Sequence, residues 1–321
     1  YGSVNYHIGK VAVGGSLRWD TGRVRGSLVG ADLGGGRTGL VSRDINGDGR
    51  ITPPETRVAF LPLDRPAPVN YNYDYLSYSA GINYRVAEPF SVFARYSSGG
   101  RANADKILFT PAVSTTDGSV PNPSDKYDAV TQLEGGFKFR RGGATLNVTA
   151  FHAEADDHNV LNGAATRTIR TYEAEGVELE GGYRYGVFSI TAGATYTEAK
   201  ITEDKLDPTL TGKEPRHQPA WTFVTTPQVE LRNVTIGANI VGITESYAQD
   251  TNLLKMPGFT VVNGFAQFRP TDRVQLMVNA SNLFNKAGFF EFSQGTVPAN
   301  GIAWGRSING RTISASLRYG L

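Results

Sequence analysis

The stretch GRTISASLRYGL, residues 310–321, decides the fold. Successive side chains of an extended strand point to opposite faces. One face is therefore apolar and consists of Ile313, Ala315, Leu317, Tyr319 and Leu321. The other face is polar and consists of Thr312, Ser314, Ser316 and Arg318. The rest of the sequence offers no core to cover the apolar face. We therefore predict that this face meets lipid and that the stretch is the closing strand of an outer-membrane barrel.

The composition excludes several classes of protein. The chain has 38 Gly, 15 Tyr and 16 Phe, which suit strands and tight turns rather than helices. Lys and Arg number 32 against 30 Asp and Glu, so there is no basic surface for nucleic acid. No run of 18 apolar residues is present, which excludes a transmembrane helix but permits a membrane barrel, whose strands are only half apolar. The absence of cysteine excludes a disulfide scaffold and thiol chemistry.

Short turns alternate with long loops along the chain. Amphipathic segments are joined by short turns near residues 9–10, 87–89, 140–143, 186, 232–233 and 270–272. Long loops rich in Gly, Pro and Asp are expected at residues 31–70, 97–126, 156–166, 202–219 and 247–257 and before the closing strand. We count about thirteen strands, each near the ~10 residues that a tilted membrane strand needs.

This alternation predicts an all-β, transmembrane, antiparallel barrel with short periplasmic turns and long extracellular loops. Aromatic residues close to strand ends are expected to form interfacial girdles: Tyr71, Tyr73, Tyr75, Tyr84, Tyr183, Tyr185 and Trp221. A soluble up-and-down barrel or sandwich is the alternative, but neither needs loops of such unequal length.

The number of strands predicts that other strands complete the barrel. If the first and last strands both run towards the periplasm, the count is odd, whereas single-chain bacterial barrels have an even number. Open strand edges would leave backbone groups unsatisfied in lipid. The chain also begins at Tyr1 within a strand and without a signal peptide. We expect residues 1–321 to be the C-terminal portion of a longer polypeptide.

Several short motifs resemble those of TonB-dependent outer-membrane receptors. VNASNLFNK, at 278–286, resembles the family's NLF signature before the last extracellular loop. YEAEGVEL, at 172–179, resembles a recurring strand with Gly-Val-Glu. Residues 80–84 with 91–101 resemble a conserved hairpin that ends in an Arg-containing motif, and GRANAD follows it. Leu321 replaces the terminal Phe that is usual in the family.

The resemblance implies a barrel of 22 strands around a plug domain, so about thirteen C-terminal strands would leave nine strands and the plug upstream. It further implies an outer-membrane location, contact with lipid, and a TonB complex that acts through the missing N-terminal plug region. The implied function is import of a scarce nutrient of the siderophore, cobalamin or oligosaccharide class. A passive channel and a calcium-dependent surface adhesion or assembly barrel remain alternatives. No enzyme is expected, because no nucleophile with a base partner can be named.

The sharpest local motif is DINGDGRITPPE, residues 44–55, which fits the twelve-residue calcium loop. Gly49 supplies the sharp turn at position six. The predicted ligands are oxygens of Asp44, Asn46, Asp48, Arg50 (through its carbonyl), Thr52 and Glu55. Hard oxygen donors at this spacing suit Ca²⁺, which would rigidify an extracellular loop. An Asp- and Gly-rich solvated turn is the alternative.

Other polar residues in the predicted loops are weaker candidates. Nutrient ligands are predicted to contact Arg101, Asn103 and Asp105 in one loop, and Gln249, Asp250 and Asn252 in another. Each of these side chains could also simply solvate its loop. The segment HAEADDH, residues 152–158, is interpreted as a solvated loop, because its spacing matches no standard metal-ligand set.

Overall fold

The computed structural model describes residues 1–29, 40–59, 66–108, 110, 112–160, 167–293 and 299–320. Thirteen long strands form one antiparallel sheet in which each strand pairs with its neighbours in the chain. These strands are β1 (Gly2–Ile8), β2 (Val11–Leu28), β3 (Ala67–Ala87), β4 (Phe90–Ala102), β5 (Tyr127–Arg141), β6 (Ala144–Val160), β7 (Arg167–Tyr185), β8 (Phe188–Asp204), β9 (Trp221–Glu230), β10 (Val234–Ile243), β11 (Phe259–Thr271), β12 (Val274–Ser281) and β13 (Thr312–Tyr319).

The remaining elements are short and lie between the long strands. One α-helix, α1 (Ala104–Ile107), follows β4, and 3-10 turns span Pro53–Arg57, Pro123–Lys126 and Pro208–Leu210. Small two-stranded hairpins pair Leu40–Val41 with Val58–Ala59, Ser246–Tyr247 with Lys255–Met256, and Phe289–Phe292 with Gly305–Ser307. No helix within the described ranges is long and apolar enough to cross a membrane.

The sheet has one apolar face and one polar face, as the closing stretch predicts. In the register of β13 with β12, Ile313, Ala315 and Leu317 lie opposite Ala280, Val278 and Leu276. Ile313 and Leu317 are 68% and 67% exposed, which is unusual for such apolar side chains in a protein that faces water on all sides. Leu321 lies outside the described residues.

The same parity continues across the sheet. The apolar face includes large exposed side chains from strands far apart in the chain: Val4, Leu17, Leu76, Ile82, Leu146, Leu179, Phe223, Ile236 and Leu276. A hydrophobic face without a partner over so many strands is the expected surface of a sheet that faces lipid. The all-β antiparallel prediction is confirmed by this architecture.

Several strands are longer than the sequence analysis predicts. β4 continues through Ala102 and β6 through Val160, so residues 97–102 and 152–158 are strand rather than loop. The loop predictions for these segments are wrong, because turn-forming Gly, Asn and Asp residues are accommodated in strands that neighbouring strands hold in register. Residues 30–39 and 60–65 of the first predicted long loop lie outside the described residues.

One part of the aromatic-girdle prediction is also wrong. Tyr71, Tyr73 and Tyr75 alternate with exposed residues of β3 and share the face of Ser77 and Ser79, which is the polar face of the sheet. The sequence pattern hides this, because a run of alternating Tyr and polar residues does not indicate which set faces lipid. Tyr84, Tyr183, Tyr185 and Trp221 lie on the apolar face and are exposed.

Candidate functional site

The two ends of the sheet differ in the length of their connections. Adjacent strands are joined at one end, the turn end, by two or three residues, for example Gly9-Lys10 and Gly142-Gly143. At the other end, the loop end, connections such as those from β4 to β5 and from β12 to β13 exceed twenty residues. The loop end therefore carries nearly all irregular backbone, which is where binding residues of a barrel are expected.

The polar face of the sheet is recessed and lined with charged and hydroxyl side chains. A recess of about 660 Å³ is bordered by Ser3, Asn5, Asn83, Arg95, Glu134 and Lys138, among others. A second recess of about 530 Å³, nearer the loop end, is bordered by Arg18, Ser77 and Ser97, among others. These residues lie on strands and are not among the predicted site residues. The period-two pattern that identifies the apolar face nevertheless places them on the opposite, polar face.

Ion pairs lie along this polar face. The Arg18 Nε atom is 2.6 Å from a carboxylate oxygen of Asp20, and an Arg95 guanidinium nitrogen is 3.6 Å from Glu134. The Lys138 ammonium lies 5.0 Å from the centre of the Phe93 ring. Tyr73 and Tyr75 stack beside them with ring centroids 6.4 Å apart. The face therefore offers cations, hydroxyls and aromatic rings to a polar solute.

The connection between β4 and β5 folds back over the loop end of β3. Its apolar side chains form a small core with two β3 residues, and the members are Val69, Tyr71, Ile107, Ala112, Val113 and Val120. The Asn70 N–H donates to the Gly118 carbonyl at 2.9 Å, which ties the connection to β3. This compact connection brings α1 against the outer ends of β5 and β6.

Polar contacts fix α1 in this position. The Asn103 side-chain amide donates to Asp128 at 2.7 Å, and the Lys106 ammonium pairs with Asp128 at 2.7 Å and also with Asp157. Asn103 is fully buried, and its side-chain carbonyl oxygen has no hydrogen-bond partner in the part of the chain that the structure describes. The predicted site residue Asn103 is thus held inside the loop end, whereas Arg101 is exposed within β4 opposite Asp128 and Asp105 belongs to α1.

Two further connections, from β8 to β9 and from β10 to β11, interlock at the other side of the loop end. Arg170 of β7 pairs with Asp204 of β8 and, at 2.6 Å, with the predicted site residue Asp250. Asp250 also accepts a hydrogen bond from the Arg216 N–H at 2.9 Å. Because Asp204 and Asp250 are largely buried, Arg170 neutralises two desolvated carboxylates that would otherwise be costly to bury.

The other two predicted residues of this loop take different positions. The Asn252 side chain accepts from the Glu214 N–H at 2.9 Å and donates to the Glu214 carbonyl at 2.8 Å, so it joins two connections. Gln249 is fully buried, and among the described residues neither the oxygen nor the nitrogen of its amide group has a hydrogen-bond partner; the buried hydroxyl of the neighbouring Thr251 has none there either. Whether any of the six predicted residues contacts a nutrient remains a prediction.

His217 links the interlocked connections to the hairpin before β13. Its backbone N–H donates to the Tyr247 carbonyl at 2.8 Å, and its Nε2 accepts from the Phe292 N–H at 3.2 Å. Burial lowers the pKa of the imidazole below its usual 6.5, and the nearby Arg216 lowers it further. The ring is therefore neutral at pH 7, as an acceptor must be.

The predicted calcium loop closes on itself through its acidic side chains. The Asp44 carboxylate accepts from the Gly47 and Gly49 N–H groups at 2.7 Å, and Glu55 accepts from Ile45 N–H and from the Thr52 hydroxyl. Hydrogen bonds from Thr52 and Ile45 lower the pKa of Glu55 to about 2. Within the described ranges, no group of three or more His, Cys, Asp or Glu converges on a metal-sized site.

The family profile described as "TonB dependent receptor-like, beta-barrel" matches residues 1–283. This chain belongs to the TonB-dependent receptor family. Its sheet superimposes on the ferric yersiniabactin uptake receptor FyuA of Yersinia pestis with a TM-score of 0.73 at 14% identity, covering 99% of this chain and 44% of FyuA. The ferric-catecholate import receptor Fiu of E. coli K12, closed form, gives a TM-score of 0.69 at 17% identity, covering 98% of this chain and 43% of Fiu.

A curated relative is the heme transporter BhuA of Brucella ovis, 30% identical over 122 residues. The matched segment covers 36% of this receptor chain and 18% of BhuA. The chain thus spans less than half the length of FyuA and Fiu, and its match with BhuA covers 18% of BhuA. The named proteins are transporters and receptors rather than enzymes, as predicted, and they give no support to calcium-dependent adhesion.

Proposed function

We propose that this receptor chain forms part of the wall of an outer-membrane transporter that imports an iron carrier, either a ferric siderophore or heme, with energy supplied through TonB. The observation that carries the proposal is the family match over a sheet with an outward apolar face and a polar face lined by Arg18, Arg95 and Glu134. The similarity to FyuA, Fiu and BhuA, which take up ferric yersiniabactin, ferric catecholates and heme, favours iron over cobalamin or oligosaccharides.

In this proposal a carrier enters at the loop end and reaches the polar face of the sheet. Carboxylate, hydroxamate and catecholate groups are anionic or strongly accepting, so Arg18 and Arg95 suit them as donors. The stacked Tyr73 and Tyr75 rings suit flat aromatic parts of the same carriers. The interlocked connections around Arg170 and His217 hold the loop end in one conformation. Less conformational entropy is therefore lost when a carrier binds.

The test is uptake of labelled iron by cells that lack their own iron receptors and make the full-length protein. Uptake of at least one ferric siderophore or of heme is expected, and it should stop when TonB is deleted. Uptake that continues without TonB would identify a passive channel and contradict the proposal. Arg95→Gln should weaken uptake more than Arg306→Gln, since Arg306 pairs with Glu291 in a small hairpin away from the sheet.

We also infer that loop 44–55 binds Ca²⁺ through the oxygens named above. The spacing of the ligands and the left-handed backbone of Gly49, with a φ of +77°, support the inference. Binding requires the carboxylates of Asp44, Asp48 and Glu55 to exchange their present N–H and hydroxyl partners for the ion. Affinity is expected in the range of extracellular sites, about 10⁻⁴ to 10⁻³ M.

Calorimetric titration of the refolded full-length protein with CaCl₂ measures this site. Wild type should bind one ion in loop 44–55, and Glu55→Gln should remove that binding. Asp117→Asn is the matched control, because Asp117 is a similarly hydrogen-bonded carboxylate in another connection, with a pKa also lowered to about 2. The inference fails when Glu55→Gln and wild type give the same titration.

A further inference from the structure

Basic residues are concentrated at the turn end of the sheet. The six short turns with three residues on either side, together with residues 318–320, contain nine basic and three acidic residues. The basic residues are Lys10, Arg85, Arg140, Arg141, Arg184, Arg232, Arg269, Arg273 and Arg318, and we call this set the basic rim. The acidic residues are Glu88, Glu230 and Asp272. Because the whole chain carries a formal charge of only +2, the rest of it is net acidic.

Backbone hydrogen bonds hold the basic rim at one level. In each short turn, a backbone carbonyl accepts a hydrogen bond from a backbone N–H beside the next turn or, for the last turn, from an N–H just after β13. Four of these six donors are arginines, and the bonds are Arg85 to Lys10, Arg140 to Pro89, Arg184 to Gly143, Glu230 to Val187, Arg269 to Asn233 and Gly320 to Arg273, all at 2.8 to 2.9 Å. Since strands lie ~5 Å apart and each turn joins two strands, successive turns are about 10 Å apart.

The charges of the basic rim are mostly not neutralised by the protein. Arg184 pairs with Glu230 at 2.6 Å, but within the described residues Arg140, Arg141, Arg232 and Arg273 have no carboxylate within ion-pair distance. All four are exposed. At the loop end, by contrast, Lys106, Arg170, Lys255 and Arg306 each pair with a carboxylate.

Aromatic residues fix the depth of the basic rim. Tyr84, Tyr183 and Tyr185 are exposed on the apolar face within four residues of the short turns, and Tyr319, also exposed, pairs with Val274 beside the last short turn. Tyrosines on a lipid-facing surface lie at the boundary between hydrocarbon and headgroups. The basic side chains immediately beyond them therefore lie at headgroup level, where long arginine side chains can extend to phosphate. Arg141, for example, lies on the apolar face itself, next to Tyr183 through Ala144.

We propose that the rim residues on the apolar face or within the turns themselves, Lys10, Arg141, Arg232 and Arg273, bind anionic phospholipid headgroups of the leaflet that surrounds the short turns. Arg85, Arg140, Arg184 and Arg318 lie on the polar face and are not part of this site. This inference rests on the proposed membrane location of the receptor. The phosphodiester of phosphatidylglycerol accepts hydrogen bonds from arginine and carries a net negative charge, whereas phosphatidylethanolamine is neutral overall. An acidic periplasmic protein is disfavoured as the partner, because the neighbouring tyrosines place the rim in the headgroup layer.

The test counts lipids that stay bound to the purified full-length receptor by native mass spectrometry, from micelles with equal amounts of phosphatidylglycerol and phosphatidylethanolamine. Wild type should retain phosphatidylglycerol over phosphatidylethanolamine by about tenfold or more, because several basic residues attract the anionic headgroup. The rim variant Lys10→Gln/Arg141→Gln/Arg232→Gln/Arg273→Gln should retain both lipids about equally.

The matched control removes the same number of positive charges at the loop end, in Lys126→Gln/Lys205→Gln/Lys213→Gln/Lys286→Gln, and should behave as wild type. Heat-modifiable migration confirms that both variants are folded. For wild type, raising NaCl from about 0.05 to about 0.5 M should weaken the preference, since exposed charges are screened. This measurement needs no variant.

Equal retention of both lipids by wild type, or an equal loss in the loop-end control, would overturn the proposal. A rim variant that keeps its phosphatidylglycerol but loses crosslinks to a periplasmic protein would identify a protein interface instead and would also overturn it. Iron uptake is measured in parallel. Intact uptake without lipid preference refutes the lipid inference alone, whereas absent uptake with lipid preference refutes only the proposed substrate.

Discussion

Gly118 combines two constraints that a single added methyl group would violate. Its φ of +74° lies in the left-handed region, and a Cβ atom would come within 2.7 Å of backbone atoms of Pro68, Val69 and Asn70. These atoms belong to β3 and cannot move without disturbing the sheet. The position therefore sets how closely the β4–β5 connection packs on β3.

Gly118→Ala is expected to release this connection from β3. The hydrogen bond from the Asn70 N–H to the Gly118 carbonyl should break, and the Asn70 amide should exchange with deuterium at least about tenfold faster. Gly212→Ala is the control, because Gly212 has a φ of +83° but no atom within 4 Å of its added Cβ. Equal effects in the two variants would show that backbone strain alone, and not the close approach, matters.

Arg170 is the residue on which the interlocked connections depend. Arg170→Gln would leave the carboxylates of Asp204 and Asp250 buried near each other without a cation, at a cost of about 3 kcal/mol. We expect much faster deuterium exchange in residues 205–219 and 248–254, while the strands keep their protection. Lys255→Gln removes an exposed pair with Glu245 and should change exchange little. Similar exchange in both variants would contradict the role given to Arg170.

At the scale of elements, His217 couples the connection after β8 to the hairpin at Phe289–Phe292. Because its pKa in the folded protein lies below 6.5, the hydrogen bond from Phe292 contributes fully above pH 6.5 and is lost as the pH falls through the lowered pKa. The charged groups around the ring are Arg216, Asp250 and Glu291. Acidification should therefore loosen the hairpin before it affects the sheet.

The measurement is the exchange protection of the Phe292 amide, corrected for the intrinsic rate, between pH 7.5 and pH 5, roughly the range in which histidines titrate. Protection should fall with pH in wild type and stay constant in His217→Gln, whose side-chain oxygen accepts but does not titrate. Protection that is constant in wild type would show that the link is not a proton-sensitive contact.

At the scale of the whole molecule, adjacent residues of β13 face opposite environments. Leu317 lies on the apolar face and Ser316 on the polar face, opposite Met277. Leu317→Lys should reduce the stability of the full-length barrel folded into lipid vesicles by about 2 to 3 kcal/mol. Ser316→Lys, one residue away, should cost less than about 1 kcal/mol. Denaturant titration measures both, and comparable costs would contradict the assignment of the faces.

The sequence predicts some elements well and others poorly, for identifiable reasons. The six short turns and the period-two strands are predicted because both signals are local in sequence. The outer ends of β4 and β6 are missed, because Gly99, Gly100 and Asp156 favour turns locally and become strand only through pairing with neighbours. Tyr71, Tyr73 and Tyr75 are placed on the wrong face, since a run of alternating Tyr and polar residues does not indicate which set faces lipid; Tyr71 is moreover buried under the β4–β5 connection.

The candidate site shows the same division. Asp44 and Glu55 are predicted as calcium ligands because the calcium-loop signature is contiguous, and this stays a prediction, whereas Asn103, Asp250 and Asn252 are predicted from polarity alone. That Asp250 and Asn252 join one connection to another, and that Asn103 ties α1 to β5, follows from contacts over 25 to 80 residues of sequence, such as Arg170 with Asp250. Arg18 and Arg95 were not selected, since nothing in a strand pattern indicates which polar residues border a recess.

By itself, the alternation in GRTISASLRYGL and in the other amphipathic segments determines an amphipathic antiparallel sheet, because the alternation of side chains is a property of each strand alone. The tertiary structure alone decides what the two ends of that sheet are. Hydrogen bonds between successive turns bring distant arginines to one level, and packing between connections joins His217, Arg170 and Asp250. These arrangements depend on which strands are neighbours and on their register, and neither is encoded within any single stretch.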